Sequence, residues 1–180
     1  MGKKYFNLYP GVHEFSNLWL AYKQAAHGKR SQPAVAAFEF DLEKQLLKLE
    51  EELKSQTYQP GGYHNFRISI PKPRLISAAP FHDRVVHHAL MNIIEPLFER
   101  QFIFDSYANR TGKGTHRALD RCTYYLRRYR YVMHLDVCQF FPAIDHQILV
   151  NILSSTLGDP AVMDLVHKIL ASGEGVQKDE

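Results

Sequence analysis

The apolar residues of this chain recur with two different periods, and that change of period limits the folds open to it. Between residues 33 and 53 they recur every three or four positions, which is the spacing of an amphipathic helix. Between Tyr63 and Ala78 apolar and polar residues alternate, as they do in a half-buried strand. Helical spacing also occurs at about 17–26, 81–98, 115–130, 147–157 and 160–170. The sequence therefore predicts an α+β fold in which helices predominate.

Prolines divide the alternating stretch into the two halves of a hairpin. Pro71 and Pro73 flank Lys72 at its centre. A proline suits this position because it lacks the N–H group that a central strand must donate to its neighbour. A further strand is predicted at Tyr131–Val137, a short apolar run that contains the carboxylate of Asp136.

Charge is distributed unevenly along the 180 residues, whose net charge is +3. Lys and Arg minus Asp and Glu give 8 − 7 = +1 for residues 1–60, 12 − 5 = +7 for residues 61–135 and 2 − 7 = −5 for residues 136–180. A basic middle followed by an acidic end indicates a polyanionic partner beside a function that needs carboxylates. A dipolar surface without a partner is the alternative.

Several classes of protein do not fit the sequence. It has neither an apolar run of membrane-spanning length nor the apolar core of a signal peptide, so we expect no membrane association and a cytoplasmic location. Cys122 and Cys138 form no zinc or disulfide spacing, which fits a reducing compartment. His87 and His88 are adjacent on a predicted helix and point about 100° apart, which disfavours a shared metal ion.

Asp136 is the candidate for chemistry that the strand pattern itself suggests. A carboxylate at the end of an apolar strand is costly to bury without a partner. A bound Mg²⁺ would provide the missing charge, because that ion prefers hard oxygen ligands. The alternative is an exposed aspartate that ends the strand or caps the following turn. The pattern leaves both open.

Four blocks occur in a specific order: Ile70–Ile76, Asp83–Leu90, Ser106–Leu119 and Leu135–His146. Together they resemble the fingers and the first palm motif of bacterial reverse transcriptases of the retron, group II intron and diversity-generating-retroelement branch. The resemblance implies helix-rich fingers with a short β-hairpin, joined to the first strand and helices of a polymerase palm. The expected divisions are an N-terminal helical region at 1–60, fingers at 61–130 and the start of a palm at 131–180.

The resemblance also implies roles in nucleotidyl transfer. Asp136 would be a catalytic carboxylate and, with the backbone carbonyl of Val137, a ligand of Mg²⁺ or Mn²⁺ in two-metal chemistry. Phe141 matches the bulky residue that rejects a ribose 2′-hydroxyl. Arg74 and Lys72 would bind the triphosphate of the incoming dNTP. For Phe141 core packing is the alternative, and for Arg74 and Lys72 a solvated hairpin tip.

The same resemblance implies contacts with nucleic acid. Its basic candidates are Arg110, Lys113, Arg117 and Arg121, and a charged solvent face is the alternative for the two on the helix. The implied partners are an RNA template, a DNA or RNA primer and dNTPs, with an accessory protein or a dimer through the open palm edge as further expectations. Bases could also stack on tyrosines, although helix and strand positions favour burial of these rings in the core: Tyr124, Tyr125, Tyr129 and Tyr131.

One motif of the family does not occur. Reverse transcriptases of this type take further carboxylates from a Tyr-X-Asp-Asp hairpin, and these 180 residues contain no such tetrapeptide. We therefore expect the N-terminal part of an RNA-directed DNA polymerase that is inactive alone. The alternative is a basic RNA-binding module without polymerase activity.

Overall fold

The computed structural model describes residues 3–69, 73–140 and 143–173, with Arg74 described by its backbone alone. Within these ranges the chain forms eight helices and one two-stranded sheet, which confirms the predicted α+β fold. The elements are α1 (Tyr9–His13), α2 (Phe15–Ala26), α3 (Pro33–Phe40), α4 (Leu42–Lys54), β1 (His64–Ile68), β2 (Arg74–Ala78), α5 (Phe81–Glu99), α6 (Thr115–Leu126), α7 (His146–Thr156) and α8 (Pro160–Ser172). None of these helices combines the length and the apolar composition that crossing a bilayer requires.

The predicted hairpin is present. β1 and β2 pair in an antiparallel register that places His64 opposite Ala78 and Ile68 opposite Arg74. The expected half-buried face of β1 does not form, since four of its five residues, Phe66 among them, are exposed. A sheet of two strands has little surface to cover its own side chains, so β1 stays in contact with solvent.

The helix predicted over 33–53 is two helices. Asp41 separates α3 from α4 with φ −117° and ψ 38°, which lies outside the helical range. This break lets each helix turn its own apolar face inward, so that Phe38 of α3 and Leu46 and Leu49 of α4 are all buried. Phe40, the last residue of α3, remains 89% exposed.

Helices α1, α2, α3, α4, α5 and α8 all contribute buried side chains to one hydrophobic core. The most extensive helix contact is that of α2 with α5. Small buried side chains, including Ala21 and Ala25 of α2 and Ala89 of α5, let the two backbones approach closely. The core thus lies mainly in the N-terminal half, and α8 closes it from the other end of the chain.

Asn17 is a buried amide that ties this helix contact together. Its Nδ2 donates to the carbonyl oxygens of Gly11 (3.0 Å) and Ala89 (2.9 Å), and Asn92 Nδ2 donates to its Oδ1 (2.9 Å). A buried polar group is tolerated where its hydrogen bonds are formed in this way. Asn17 therefore connects α1, α2 and α5 through one side chain.

A buried carboxylate fixes the approach of the chain to α5. Asp83 is 1% exposed, and its oxygens accept hydrogen bonds from Tyr58 Oη (2.6 Å), the N–H of Gly61 (2.8 Å) and His82 Nε2 (2.9 Å). Gly61 also fits this place by size, since a Cβ there would lie 3.0 Å from Pro80 Cγ. The turn after α4 is thereby attached to the first turn of α5.

A second buried carboxylate joins the two ends of the described chain. Asp159 Oδ1 accepts from the N–H groups of Ala161 (3.0 Å) and Val162 (3.4 Å), as an N-cap of α8 does. Its Oδ2 accepts from the N–H groups of Leu8 (2.6 Å) and Tyr9 (2.9 Å) at the start of α1. One side chain thus satisfies backbone donors of two helices.

The strand predicted at Tyr131–Val137 does not form. These residues have no regular secondary structure, and their apolar side chains are exposed, Tyr131 by 86%. A strand requires a hydrogen-bonded neighbour, and the described residues provide none beside this segment. Four tyrosines that were expected in the core are exposed as well, because no described element covers them: Tyr124, Tyr125, Tyr129 and Tyr131.

Candidate nucleic-acid interface

Arg110 holds the loop between α5 and α6 in place. Its side chain is only 9% exposed, and its Nε and Nη2 donate to the Glu99 carboxylate at 2.7–3.0 Å. Its Nη1 donates to the carbonyl oxygens of Ile103 (2.8 Å) and Ser106 (3.0 Å). The hydrogen bonds that Arg110 donates to the Glu99 carboxylate lower the pKa of Glu99. Because its donors are engaged within the loop, Arg110 shapes the surface more than it contributes a free charge.

Lys113 lies on the same loop, between two glycines that turn the backbone. Gly112 and Gly114 have φ of 71° and 96°, a region that glycine adopts without steric cost. Lys113 Nζ donates to the carbonyl of Phe104 (2.7 Å) and lies 3.7 Å from the centroid of the Phe104 ring. Hydrogen bonding and cation–π attraction together fix the ammonium group beside α6.

Arg121 of α6 is paired with Asp105 of the loop. Its Nε and Nη2 donate to the two carboxylate oxygens at 2.8 and 3.2 Å, and its guanidinium lies 4.6 Å from the Tyr125 ring centroid. Tyr107 and Tyr125 also donate to Asp105, at 2.9 and 3.1 Å. The Arg121 hydrogen bond is the main reason that the pKa of Asp105 is lowered.

An open groove of about 600 Å³ lies between this loop and α6. Its wall residues are Phe104, Tyr107, Thr111, Gly112, Lys113, Arg117, Asp120, Arg121 and Tyr124. Of the three cations in it, Lys113 and Arg121 have the partners described above. Arg117 is exposed, and its side chain forms no hydrogen bond or ion pair within 3–69, 73–140 and 143–173. The groove therefore offers aromatic walls and a guanidinium group open to an anionic ligand.

Asp136 and Val137 lie in the exposed segment before α7. Asp136 Oδ1 accepts a hydrogen bond from the N–H of Val137 at 3.0 Å, which is a local contact at a chain turn. No group of three His, Cys, Asp or Glu side chains that could hold a metal ion occurs among the described residues. The role of Asp136 and Val137 as metal ligands remains a prediction.

The remaining candidates for a dNTP site are Lys72, Arg74 and Phe141. Lys72 and Phe141 lie outside the described residues. Arg74 begins β2, where its backbone pairs with Ile68, and its side chain is not described. Their predicted roles at a dNTP remain predictions.

The two carboxylates that pair with these arginines were not predicted from the sequence. Glu99 and Asp105 pair with arginines that follow them by 11 and 16 residues across an irregular loop. Helical and strand spacing relate residues up to four positions apart, so neither pair has a periodic signal.

The chain is similar to several known proteins, among them two named for introns, although no protein-family profile matches it. It is 28% identical to Protein YkfC of Escherichia coli over 138 residues, and this matched region covers 72% of this chain and 36% of YkfC. It is 25% identical over 134 residues to the group II intron-encoded protein LtrA of Lactococcus lactis, which covers 73% of this chain and 22% of LtrA. Mitochondrial nuclear intron maturase 1 of Arabidopsis thaliana is 31% identical over 90 residues, or 50% of this chain and 13% of the maturase.

The matches cover much of this chain and a small part of each relative. The matched regions make up 13–36% of the length of these three proteins. Identity is modest, but proteins named for introns recur among the similar proteins of a bacterium, yeast and a plant. The chain is therefore similar over part of its length to a group II intron-encoded protein and to intron maturases, which confirms the resemblance of its four sequence blocks.

Proposed function

We propose that this chain is the fingers region and the beginning of the palm of an RNA-directed DNA polymerase, and that it contacts RNA through the groove between α6 and the preceding loop. The observation that carries the proposal is the agreement of four ordered sequence blocks with homology to intron-encoded proteins. Lys113, Arg117 and Tyr107 of the groove lie within the third of those blocks.

The electrostatics of the groove support an RNA ligand. Seven Arg or Lys residues and one carboxylate, Asp120, occur between residues 106 and 135. Phosphate groups bind such a surface through charge attraction and release of counterions, without reading sequence. Within this proposal Arg110 and Arg121 hold the loop and α6 in position, while Arg117 reaches the phosphates.

Asp136 has a more limited role in the proposal. It would contribute one metal-binding carboxylate of a polymerase centre, and Mg²⁺ bound there would supply the electrostatic stabilisation of phosphoryl transfer. Among the described residues no group of three His, Cys, Asp or Glu side chains could hold a metal ion, and the sequence has no Tyr-X-Asp-Asp. We therefore propose that the 180 residues bind RNA but do not extend a primer by themselves.

The first test removes the open charge in the groove. Arg117→Gln should weaken binding of the chain to RNA about three- to tenfold at low salt, because one phosphate contact is lost. The slope of log affinity against log salt should become shallower by about 0.7, the value expected for one contact with a single strand. Fluorescence anisotropy over a salt series measures both quantities.

A matched control comes from an exposed lysine of α4. Lys44→Gln removes the same unit of charge at a position outside the groove and should leave affinity and slope nearly unchanged. Equal losses in the two variants would mean that net charge, rather than the groove, determines RNA binding.

The second test addresses catalysis. The purified chain, given a primer–template, Mg²⁺ and dNTPs, should show no primer extension above background, and Asp136→Ala should give the same result. Extension by the wild-type chain that disappears in Asp136→Ala would contradict the proposed division between binding and catalysis. Denaturing gel electrophoresis of a labelled primer measures the outcome.

A basic RNA-binding module without any polymerase role is the second candidate. The absence of a metal-holding cluster among the described residues favours it. The two candidates differ in a longer protein that contains this chain and a Tyr-X-Asp-Asp motif. If the longer protein is a polymerase, Asp136→Ala should abolish its primer extension. If the chain is only an RNA-binding module, Asp136→Ala should leave RNA binding unchanged.

A further inference from the structure

The end of α6 and the residues after it carry a row of exposed tyrosines, of which Tyr124 also lines the groove. We propose that this tyrosine row, defined as Tyr124, Tyr125, Tyr129 and Tyr131, binds single-stranded nucleic acid by stacking with its unpaired bases. The inference rests on the proposed function and deepens it, since it states which form of the nucleic acid the surface selects.

The rings of the row follow one another at short intervals. The centroids of Tyr124 and Tyr125 are 5.4 Å apart, and those of Tyr125 and Tyr129 are 6.0 Å apart. Tyr129 is 64% exposed and Tyr131 86% exposed, so ring surface at the far end of the row is open to a ligand. Every base has a π face, and stacking with an aromatic side chain therefore tolerates any sequence.

Arginines accompany the rings along the row. The guanidinium of Arg128 lies 4.9 Å from the Tyr124 ring centroid, and Arg128 also donates a hydrogen bond to the Tyr124 hydroxyl. Arg127 and Arg130 are exposed, and the part of the chain that the structure describes offers their side chains no hydrogen bond or ion pair. Arg127, Arg128 and Arg130 are neighbours of the tyrosines in the sequence, so positive charges accompany the rings as phosphates accompany the bases of a single strand.

The same features argue against a duplex as the preferred ligand. In a double helix the base faces are stacked on one another, so a protein surface meets mainly phosphates, sugars and groove edges. A duplex would engage the arginines and leave the tyrosine rings unused. Tyrosine and arginine are also enriched in protein interfaces, so a protein partner is the competing outcome that the test below separates.

The test compares three probes of about 12 nucleotides per strand, within the range bound by single-strand-binding folds. These are an oligouridine RNA, an oligothymidine DNA and a mixed-sequence RNA duplex, each labelled for fluorescence anisotropy at one salt concentration. Both single strands should bind at least about fivefold more tightly than the duplex, since each stacked base contributes about that factor or more. Stacking does not read the 2′-hydroxyl, so RNA and DNA single strands should bind alike.

Variants of the two most exposed rings isolate stacking. The double variant Tyr129→Ala/Tyr131→Ala should lose at least about fivefold affinity for both single strands and keep its affinity for the duplex. Tyr129→Phe/Tyr131→Phe should retain wild-type affinity, because phenylalanine keeps the ring. Phe40→Ala removes an equally exposed ring from α3 and should change nothing.

Each other outcome contradicts the inference. Equal affinity for duplex and single strands, an unchanged alanine variant, or the same loss in the phenylalanine variant would each overturn base stacking. Changed sedimentation of the alanine variant with unchanged RNA binding would assign the row to a protein contact. If duplex binding still depends on Arg117 while the tyrosine variants have no effect, the proposed function stands and this inference fails. If no nucleic acid binds at all, both fail.

Discussion

Replacing Asp83 by asparagine is expected to lower the free energy of unfolding by about 2–4 kcal/mol, since the change leaves buried donors without an acceptor. Asp83 is 1% exposed and accepts from Tyr58 Oη and the N–H of Gly61 as well as from His82. Asparagine has a similar shape, but its amide group donates where the carboxylate oxygen accepts. Urea unfolding followed by circular dichroism measures the loss.

The pH dependence of stability gives an independent signature of the same group. Burial by itself raises the pKa of Asp83, but hydrogen bonds from His82, Tyr58 and the Gly61 N–H outweigh it, and the pKa is lowered. Its contribution is therefore complete above the pKa of an unfolded aspartate, about 3.9, and is lost as the pH falls through the lower folded pKa. Asp83→Asn should flatten this acid limb of the stability profile.

His82 contributes in the opposite direction. Its hydrogen bond to Asp83 raises the pKa of the imidazole despite partial burial. The resulting stabilisation is present below the unfolded histidine pKa of about 6.5 and is lost as the pH rises through the raised folded value. Asp83→Asn should remove this limb as well.

A surface carboxylate provides the comparison for Asp83. Asp164 is largely exposed and pairs with Lys168 at 3.3 Å across one turn of α8. Asp164→Asn should cost no more than about 0.5 kcal/mol, as exposed helical ion pairs do. If Asp83→Asn were as mild as Asp164→Asn, the buried network would not be important for stability.

Asp159→Ala is expected to cost about 2–4 kcal/mol of unfolding free energy. Loss of an N-cap accounts for about 1 kcal/mol, and the N–H groups of Leu8 and Tyr9 would also lose their acceptor in a partly buried place. The same urea titration measures the change, with a probe in α1 to show whether that helix detaches.

Asp145→Ala measures the cost of a lost N-cap alone, without the contact to α1 that Asp159 also makes. Asp145 caps α7 through one hydrogen bond, from the N–H of Ile148 at 3.0 Å, and it is exposed. Its replacement should cost about 1 kcal/mol, the ordinary effect of a lost cap. A similar small cost for Asp159→Ala would mean that its contact with α1 contributes little.

Local pattern was sufficient to predict most of the fold. The helices that became α2, α5, α7 and α8 and the β1–β2 hairpin were all predicted near their observed places, because each carries a spacing or a capping residue of its own. The break at Asp41 was missed, because the leucine spacing continues across it. The strand at Tyr131–Val137 was predicted from composition, yet pairing depends on a neighbouring strand, which local sequence does not encode.

The candidate site was predictable in its residue types and not in their geometry. The motif around Arg110 and Lys113 located the loop correctly, but nothing in it distinguished Arg110, whose donors are engaged, from the open Arg117. That difference depends on Glu99 and on the carbonyls of a loop without periodicity. Exposure of the tyrosine row was likewise a tertiary property, since it follows from the absence of a covering element among the described residues.

The contact of Asp159 with α1 has a consequence for the order of folding during synthesis. The hydrogen bond from the N–H of Tyr9 spans 150 residues, and the backbone of Tyr5 likewise bonds with Thr156 and Gly158. A ribosome must therefore release residues near 160 before the first helix can dock. Contacts of such long sequence separation slow folding, because a large loop must close before any of them forms. Helix α1, although synthesised before the other described helices, is expected to be among the last of them to reach its final place.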